Sequence, residues 1–304
     1  MPQLLDSAAT RALLPAGRLV REIAQVLRDD GVQVPDRLVQ PLAGGASLFV
    51  MPATDGRIAI AKLITFTPSN AGSGRPAIQG DVVVFDVASG MRQLVLDGPE
   101  VTARRTAAVS LLAARRLAAA PRGPLLVVGA GAQGLAHLEA FAQGLPLRQV
   151  FVASRTRASA DRLVARAHVL SLAAEAVDDP DAVLAECPLV VTCTPADGIV
   201  LRGRPRDDAF VAAVGAFTPR MVELAPSLCR ELAQRGHIVL DTGQARHEAG
   251  DLIQAGIPLD DLPTLRDVIR GEAPERNGPV LFKSCGWAGW DLAAARCAMD
   301  GLSP

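Results

Sequence analysis

The chain has 304 residues, 49% of them hydrophobic and 21% charged, with a formal net charge of −1. That apolar content supplies cores for about two domains of ordinary size, and so balanced a charge gives no overall basic field with which to grip nucleic acid. No apolar run approaches the ~18 residues of a membrane span, and Met1–Thr10 carries Asp6 without the basic-then-apolar order of a secretory signal. The expected setting is the cytoplasm.

Composition narrows the chemistry further. Tyr is absent, which excludes mechanisms built on a Tyr–Lys pair. The five cysteines (Cys187, Cys193, Cys229, Cys285 and Cys297) are odd in number and form no C-x-x-C, a usage that fits a reduced compartment better than disulfides or structural zinc. The four histidines are scattered, so no metal site is expected. Of 31 basic residues only Lys62 and Lys283 are lysines. Arg is a planar, permanently charged fork, whereas Lys is a compact charge with a movable pKa. These two positions are either places where chemistry or packing resists Arg or chance survivals of two lysine codons.

In chain order, Leu19, Ile23, Val26 and Leu27 predict a helix over Pro15 to Arg28. Four β-rich runs follow at Leu48–Met51, Ile58–Phe66, Val82–Val87 and Gln93–Leu96, separated by turn-formers at Asp55-Gly56, Pro68–Gly72 and Ser89-Gly90. With no crossover helices between them, this sheet should be largely antiparallel or mixed. A long Ala/Leu/Arg helix from about Pro99 to Ala120 stops at Pro121-Arg122-Gly123-Pro124, which reads as a domain boundary. Short apolar strands then recur at Leu125–Gly129, Gln149–Ala153, Leu189–Cys193, Phe210–Gly215 and His237–Asp241, with helical stretches between most of them. That is the α/β pattern of a parallel sheet covered on both faces. A strand-like Val280-Leu281-Phe282 and a helix from Trp287 to Met299 close the chain. His137 and His247 fall on helices, in solvated or packing roles. Asp251 and the Asp260-Asp261 pair read as solvated or helix-capping.

Gly129-Ala130-Gly131-Ala132-Gln133-Gly134 is a G-x-G-x-x-G that directly follows a strand and opens a helix. In that context the pattern marks a dinucleotide pyrophosphate seated on a helix N-terminus. The next strand ends in Ser154-Arg155-Thr156-Arg157 rather than in a carboxylate. An acid there would bind a ribose 2′-hydroxyl, whereas Arg and hydroxyls suit a 2′-phosphate. NADPH is the expected cofactor, with NADH weaker. Thr156 or Ser154 could instead simply cap the next helix.

Several blocks together resemble the ornithine cyclodeaminase/mu-crystallin family: Met51-Pro52-Ala53, Ala61-Lys62-Leu63, Ile78-Gln79-Gly80, Thr102–Ala108, Gly129–Gly134, His247–Leu252 and Leu281–Gly286. The resemblance implies a Rossmann dinucleotide-binding domain (121–279) inserted in an α+β substrate-binding and dimerisation domain (1–120 plus 280–304), with substrate in the cleft and a homodimer as the assembly. It implies that Arg37, Lys62 and Arg105 hold a substrate carboxylate, with Gln79 beside it and with Lys62 and Arg105 as the catalytic residues. The cofactor would lie on Gly129, Gly131, Ala132, Gln133, Gly134, Ser154, Arg155 and Thr156, with Thr194, Pro195 and Val214 near the nicotinamide.

Cyclodeaminases carry a Gly-x-Asp-x-Pro-Gly-Lys-x-Glu-Leu block whose Asp serves deamination. Here Phe217 stands at that Asp, in Gly215–Leu224, and Phe49-Val50 precede Met51-Pro52 where those enzymes have a Glu. A Phe cannot take a proton. The resemblance therefore points to the ketimine-reductase branch, reducing the cyclic imino acids delta-1-pyrroline-2-carboxylate or delta-1-piperideine-2-carboxylate with NADPH. The alternatives are a cyclodeaminase with catalytic NAD and a mu-crystallin-like protein that binds NADPH and a ligand without much turnover.

Overall fold

The structure is a computed structural model, and it describes residues 3–70, 73–195, 197–272 and 277–302. The chain divides into two compact units, one formed by Met1–Ala108 with Trp287–Pro304 and the other by Val109–Gly286.

The first unit is built on a six-stranded sheet. Its strands are β1 (Gln3–Leu4), β2 (Leu38–Pro41), β3 (Ser47–Thr54), β4 (Ile58–Phe66), β5 (Ile78–Asp86) and β6 (Arg92–Asp97), in the spatial order β1-β6-β5-β4-β3-β2. All pairings are antiparallel except β1 with β6. In β4 the alternation required by a half-buried strand is plain: Ile58, Ile60, Lys62 and Ile64 are buried while Leu63 is exposed. A helix over Ala16–Arg28 buries Leu19, Ile23, Val26 and Leu27. The helix Ala288–Leu302 packs against it and against β3 and β4, which is why every residue from Ala288 to Ala298 is buried. Pro68–Asn70 form a short 3-10 turn; Ala71 and Gly72 of the predicted turn lie outside the described residues.

The second unit alternates strands and helices. Its strands are β7 (Leu125–Val128), β8 (Gln149–Ala153), β9 (Ala173–Val177), β10 (Leu189–Thr192), β11 (Asp197–Leu201), β12 (Phe210–Ala213), β13 (Val222–Leu224), β14 (His237–Leu240) and β15 (Val280–Lys283). Seven of them form an all-parallel sheet ordered β14-β15-β12-β10-β7-β8-β9, and β11 pairs with β13 in a small separate sheet. The central strands are buried along their whole length, as a sheet covered on both faces requires. This is the α/β, Rossmann-type arrangement expected from the alternating strands.

The expected domain limits at 120 and 280 differ from the observed division. The long helix, Gly98–Leu117, runs straight through the change at Ala108/Val109. β15 pairs with β12 and β14, so Val280–Gly286 belongs to the second unit rather than to the first. Strands β1, β2, β9, β11 and β13 and a helix over Ser7–Leu13 were absent from the sequence reading. β1 and β2 are exposed edge strands, and β9, Ala-Ala-Glu-Ala-Val, has only its final Val to signal a strand. Among the described residues no helix is long and apolar enough to cross a membrane.

Candidate active site: a dinucleotide loop and a buried Lys–Asp–Arg cluster

In the second unit, β7 leads through Gly129–Gly131 into a helix over Ala132–Gly144 whose N-cap is Gly131, with no side chain capping it. The glycines divide by what a Cβ would meet. At Gly129, where φ is +111°, it would lie 2.7 Å from the Cys193 carbonyl oxygen, and at Gly134 it would lie 2.0 Å from that of Gly129. These two are glycine because the fold is tight. At Gly131 a Cβ would meet nothing within 4 Å, so the space beside it is open to a ligand. A bare helix N-terminus with an open glycine in front of it fits a pyrophosphate. Ala132 and Gln133, the first two residues of the helix, would present their amides there.

At the end of β8, Thr156 caps the following helix, its hydroxyl oxygen accepting from the Ser159 amide and its proton going to Ser159 Oγ at 2.8 Å. Ser154 is half-buried. Arg155 is exposed and makes no hydrogen bond or ion pair among the described residues, whereas Arg157 is engaged with Asp161 at 2.9 Å. Arg155 is thus an exposed cation with no ion pair among the described residues, at the end of β8.

The loops after β10 and β12, which carry Thr194, Pro195 and Val214, are tied together by Glu223 on β13. Its Oε1 accepts from the Thr194 amide at 2.6 Å and the Thr194 hydroxyl at 2.9 Å; its Oε2 accepts from the Gly215 amide at 2.7 Å and the Thr192 hydroxyl at 2.9 Å. Glu223 is fully buried, and burial pushes its carboxyl above the ordinary range against the pull of Lys283 and of these donors. Behind it, Asp251 Oδ1 accepts from the amides of Glu223 and Leu224 and its Oδ2 lies 2.8 Å from Lys283 Nζ. Asp251 is therefore not the solvated or capping residue expected from the sequence: it is buried and neutralises Lys283, whose own pKa its charge raises against desolvation. Phe217, in the β12–β13 connection, packs against the apolar core of this unit.

In the first unit the fold buries Lys62 completely between Met51 on β3 and Val82 on β5, its cross-strand partners. Its Nζ donates to Asp291 Oδ1 at 3.0 Å, and Arg105 Nε stands 3.3 Å from the same oxygen. Asp291 comes from the first turn of the helix Ala288–Leu302 and Arg105 from the long helix Gly98–Leu117. Burial lowers the Lys62 pKa to about 8; Asp291 opposes that fall, while the charges of Arg105 and Arg37 add to it. Arg37 itself lies over the Phe49 ring, 5.8 Å from its centroid. Two buried cations, Lys62 and Arg105, share the one carboxylate of Asp291, an arrangement suited to an anionic ligand. Gln79 is not on this face: it pairs with Thr65, is exposed, and occupies the outward phase of β5, whereas Val82 shares the inward phase with Lys62.

Residues 18–303 match the model of the ornithine cyclodeaminase/mu-crystallin family. The chain belongs to this family. It is 39% identical over 99% of its length, and 96% of the relative's, to a Delta(1)-pyrroline-2-carboxylate reductase of Burkholderia multivorans. It is 38% identical, over 99% of its own length and 96% of the relative's, to a Delta(1)-pyrroline-2-carboxylate/Delta(1)-piperideine-2-carboxylate reductase of Azospirillum brasilense. Its fold matches that of a Thermococcus litoralis Delta(1)-pyrroline-2-carboxylate reductase solved with NADH and L-proline, at a TM-score of 0.89 and 20% identity over 98% and 96% of the two chains.

Within this family member, Lys62 and Arg105 are brought together on one carboxylate, with Arg37 close enough to act on Lys62 by charge. The residues missed by sequence reasoning are Asp291 and Glu223. Each is a lone acid in an apolar stretch, Trp290-Asp291-Leu292 and Val222-Glu223-Leu224, and buried carboxylates are rare unless paired.

Proposed function

We propose that this chain reduces the C=N bond of cyclic imino acids of the Delta(1)-pyrroline-2-carboxylate and Delta(1)-piperideine-2-carboxylate type, using NADPH in preference to NADH. The observation that carries this reading is the buried cluster of Lys62, Arg105 and Asp291 with Arg37, in a chain so similar to reductases of such substrates. The NADPH preference is supported by the missing acid and the unengaged Arg155 after β8.

Arg105 and Arg37 hold the substrate carboxylate through charge-assisted hydrogen bonds and so fix the adjacent C=N bond. Lys62, protonated below about pH 8, gives a proton from Nζ to the imine nitrogen. A nicotinamide dinucleotide held at Gly129–Gly134 would supply the hydride for the imine carbon, so that with the proton from Lys62 the product is a secondary amine. Lys62 regains its proton from solvent. Apolar Phe217 and Phe49 furnish no base for attack by water, which favours reduction over the lyase reaction. We further infer a homodimer, supported by the exposed apolar residues Leu38 and Val39 on edge strand β2. The five free, buried cysteines support a cytoplasmic setting.

The test is oxidation of NADPH and of NADH with each of the two cyclic imines, beside ammonia release from L-ornithine with NAD. Imine reduction without ornithine turnover is expected. Ornithine cyclisation at a comparable rate would establish the lyase reading, and tight NADPH binding without turnover of either imine would establish a binding protein.

A further inference from the structure

Asp291 is wholly buried, yet only one of its oxygens is engaged. Oδ1 accepts a hydrogen bond from Lys62 Nζ at 3.0 Å and forms an ion pair with Arg105 Nε at 3.3 Å, and Oδ2 has no hydrogen-bond partner among the described residues. A buried carboxylate with a vacant oxygen is costly to maintain, and it sits in the first turn of a helix that is otherwise apolar apart from Arg296 and Asp300. Arg296 is spent on Asp29 and Asp55, at 2.6 and 2.7 Å, so Asp291 is not there to balance it.

The groups that face Lys62 come from three elements: Asp291 from the helix Ala288–Leu302, Arg105 from the long helix Gly98–Leu117, and Arg37 from the segment before β2. Its neighbours across the sheet, Met51 and Val82, are apolar. Asp291 is thus the carboxylate that opposes burial and the charges of Arg105 and Arg37. Without it, a lysine among two arginines in an apolar sheet would shed its proton well below the ordinary lysine range.

We propose that Asp291 is a positioning residue of the reaction, one carboxylate oxygen that holds the Lys62 ammonium protonated and aims it beside Arg105. This rests on the reading of Lys62 as the proton donor to the imine, but its central claim can be read without turnover. Lys62 and Lys283 are the only lysines, so protein labelled with 13C at the lysine ε-carbon gives two side-chain NMR signals, assigned with Lys62→Arg.

In Asp291→Asn the Lys62 titration midpoint should fall by about one pH unit or more, as loss of an adjacent opposite charge requires, while the Lys283 signal stays in place. The alkaline limb of kcat/KM for the imine should move to lower pH with it, because the protonated lysine is the active form. Asp291→Glu, which keeps the charge but displaces it, should give a smaller shift of the same sign, and it decides the matter if the Asn variant does not fold. A Lys62 midpoint unmoved in a folded variant overturns the proposal. A midpoint that follows Asp291 in a protein that reduces neither imine supports the pairing and overturns the functional reading instead.

Discussion

Glu223 and Thr194 are joined twice, the Glu223 Oε1 accepting both the amide and the hydroxyl of the threonine at 2.6 and 2.9 Å. With Gly215 and Thr192 on the other oxygen, one buried carboxylate sets the spacing of two strand-end loops. A crevice at the carboxyl ends of parallel strands is where ligands bind in open α/β sheets, so on the reading proposed above this clamp would help to orient a nicotinamide.

Glu223→Gln keeps the volume but replaces an acceptor oxygen by an NH2 that faces N–H or O–H donors. A hydrogen bond to a charged group is worth ~1.5–3 kcal/mol, so the variant should lose roughly one to two decades in kcat/KM for the dinucleotide. The imine KM measured at saturating cofactor should change less. Steady-state kinetics with both reactants varied checks this, and equal losses for the two would mean general unfolding rather than a misaligned loop.

His137 lies on the dinucleotide-loop helix and is completely buried, its Nδ1 against the Gln133 carbonyl at 2.8 Å and its Nε2 against Ser110 Oγ at 3.0 Å. Burial pulls its pKa down to about 4, so Nδ1 donates and Nε2 accepts. Between about pH 6.5 and 4 the unfolded chain binds a proton here that the folded chain does not, and stability therefore falls as pH falls through that window. The full loss is about 3 kcal/mol. Chemical denaturation from pH 7 to 4 should show it, and His137→Gln should flatten that slope. An unchanged slope in the variant would assign the acid sensitivity to other groups.

Arg155→Ala should raise the KM for NADPH by roughly tenfold or more, the loss of a charge-assisted contact to a phosphate, and leave that for NADH nearly unchanged. Titration of each cofactor against wild type and variant checks it. Equal losses for both cofactors would place recognition of the 2′-phosphate elsewhere.

Much of the architecture was legible because periodicity reports burial. The uniformly apolar strands of the parallel sheet and the alternating β4 both follow from which faces meet water, and Ile58–Phe66 and Gln149–Ala153 have the limits expected of them. Edge strands β1, β2 and β9 escaped because an exposed strand carries no such periodicity. The glycine loop was legible through its context, a strand before and a helix after. Asp291 and Glu223 were not, because their partners lie 229 and 29 residues away. A lone acid shows its charge in the sequence but not the cations or amides that make its burial tolerable. Asp251 was misread for the same reason. Lys62 carries a further signal, an amine in the inward phase of β4 among Ile58, Ile60 and Ile64.

Both lysines are fully buried, and each unit contains one, Lys62 in the first and Lys283 in the second. Neither lysine presents surface to solvent, so a bulky reagent that acylates side-chain amines reaches them only when the protein opens. Each lysine becomes a reporter for its own unit. Pulse labelling followed by peptide mass analysis would time the opening of the six-stranded sheet through Lys62 and of the parallel sheet through Lys283, without introducing a foreign probe.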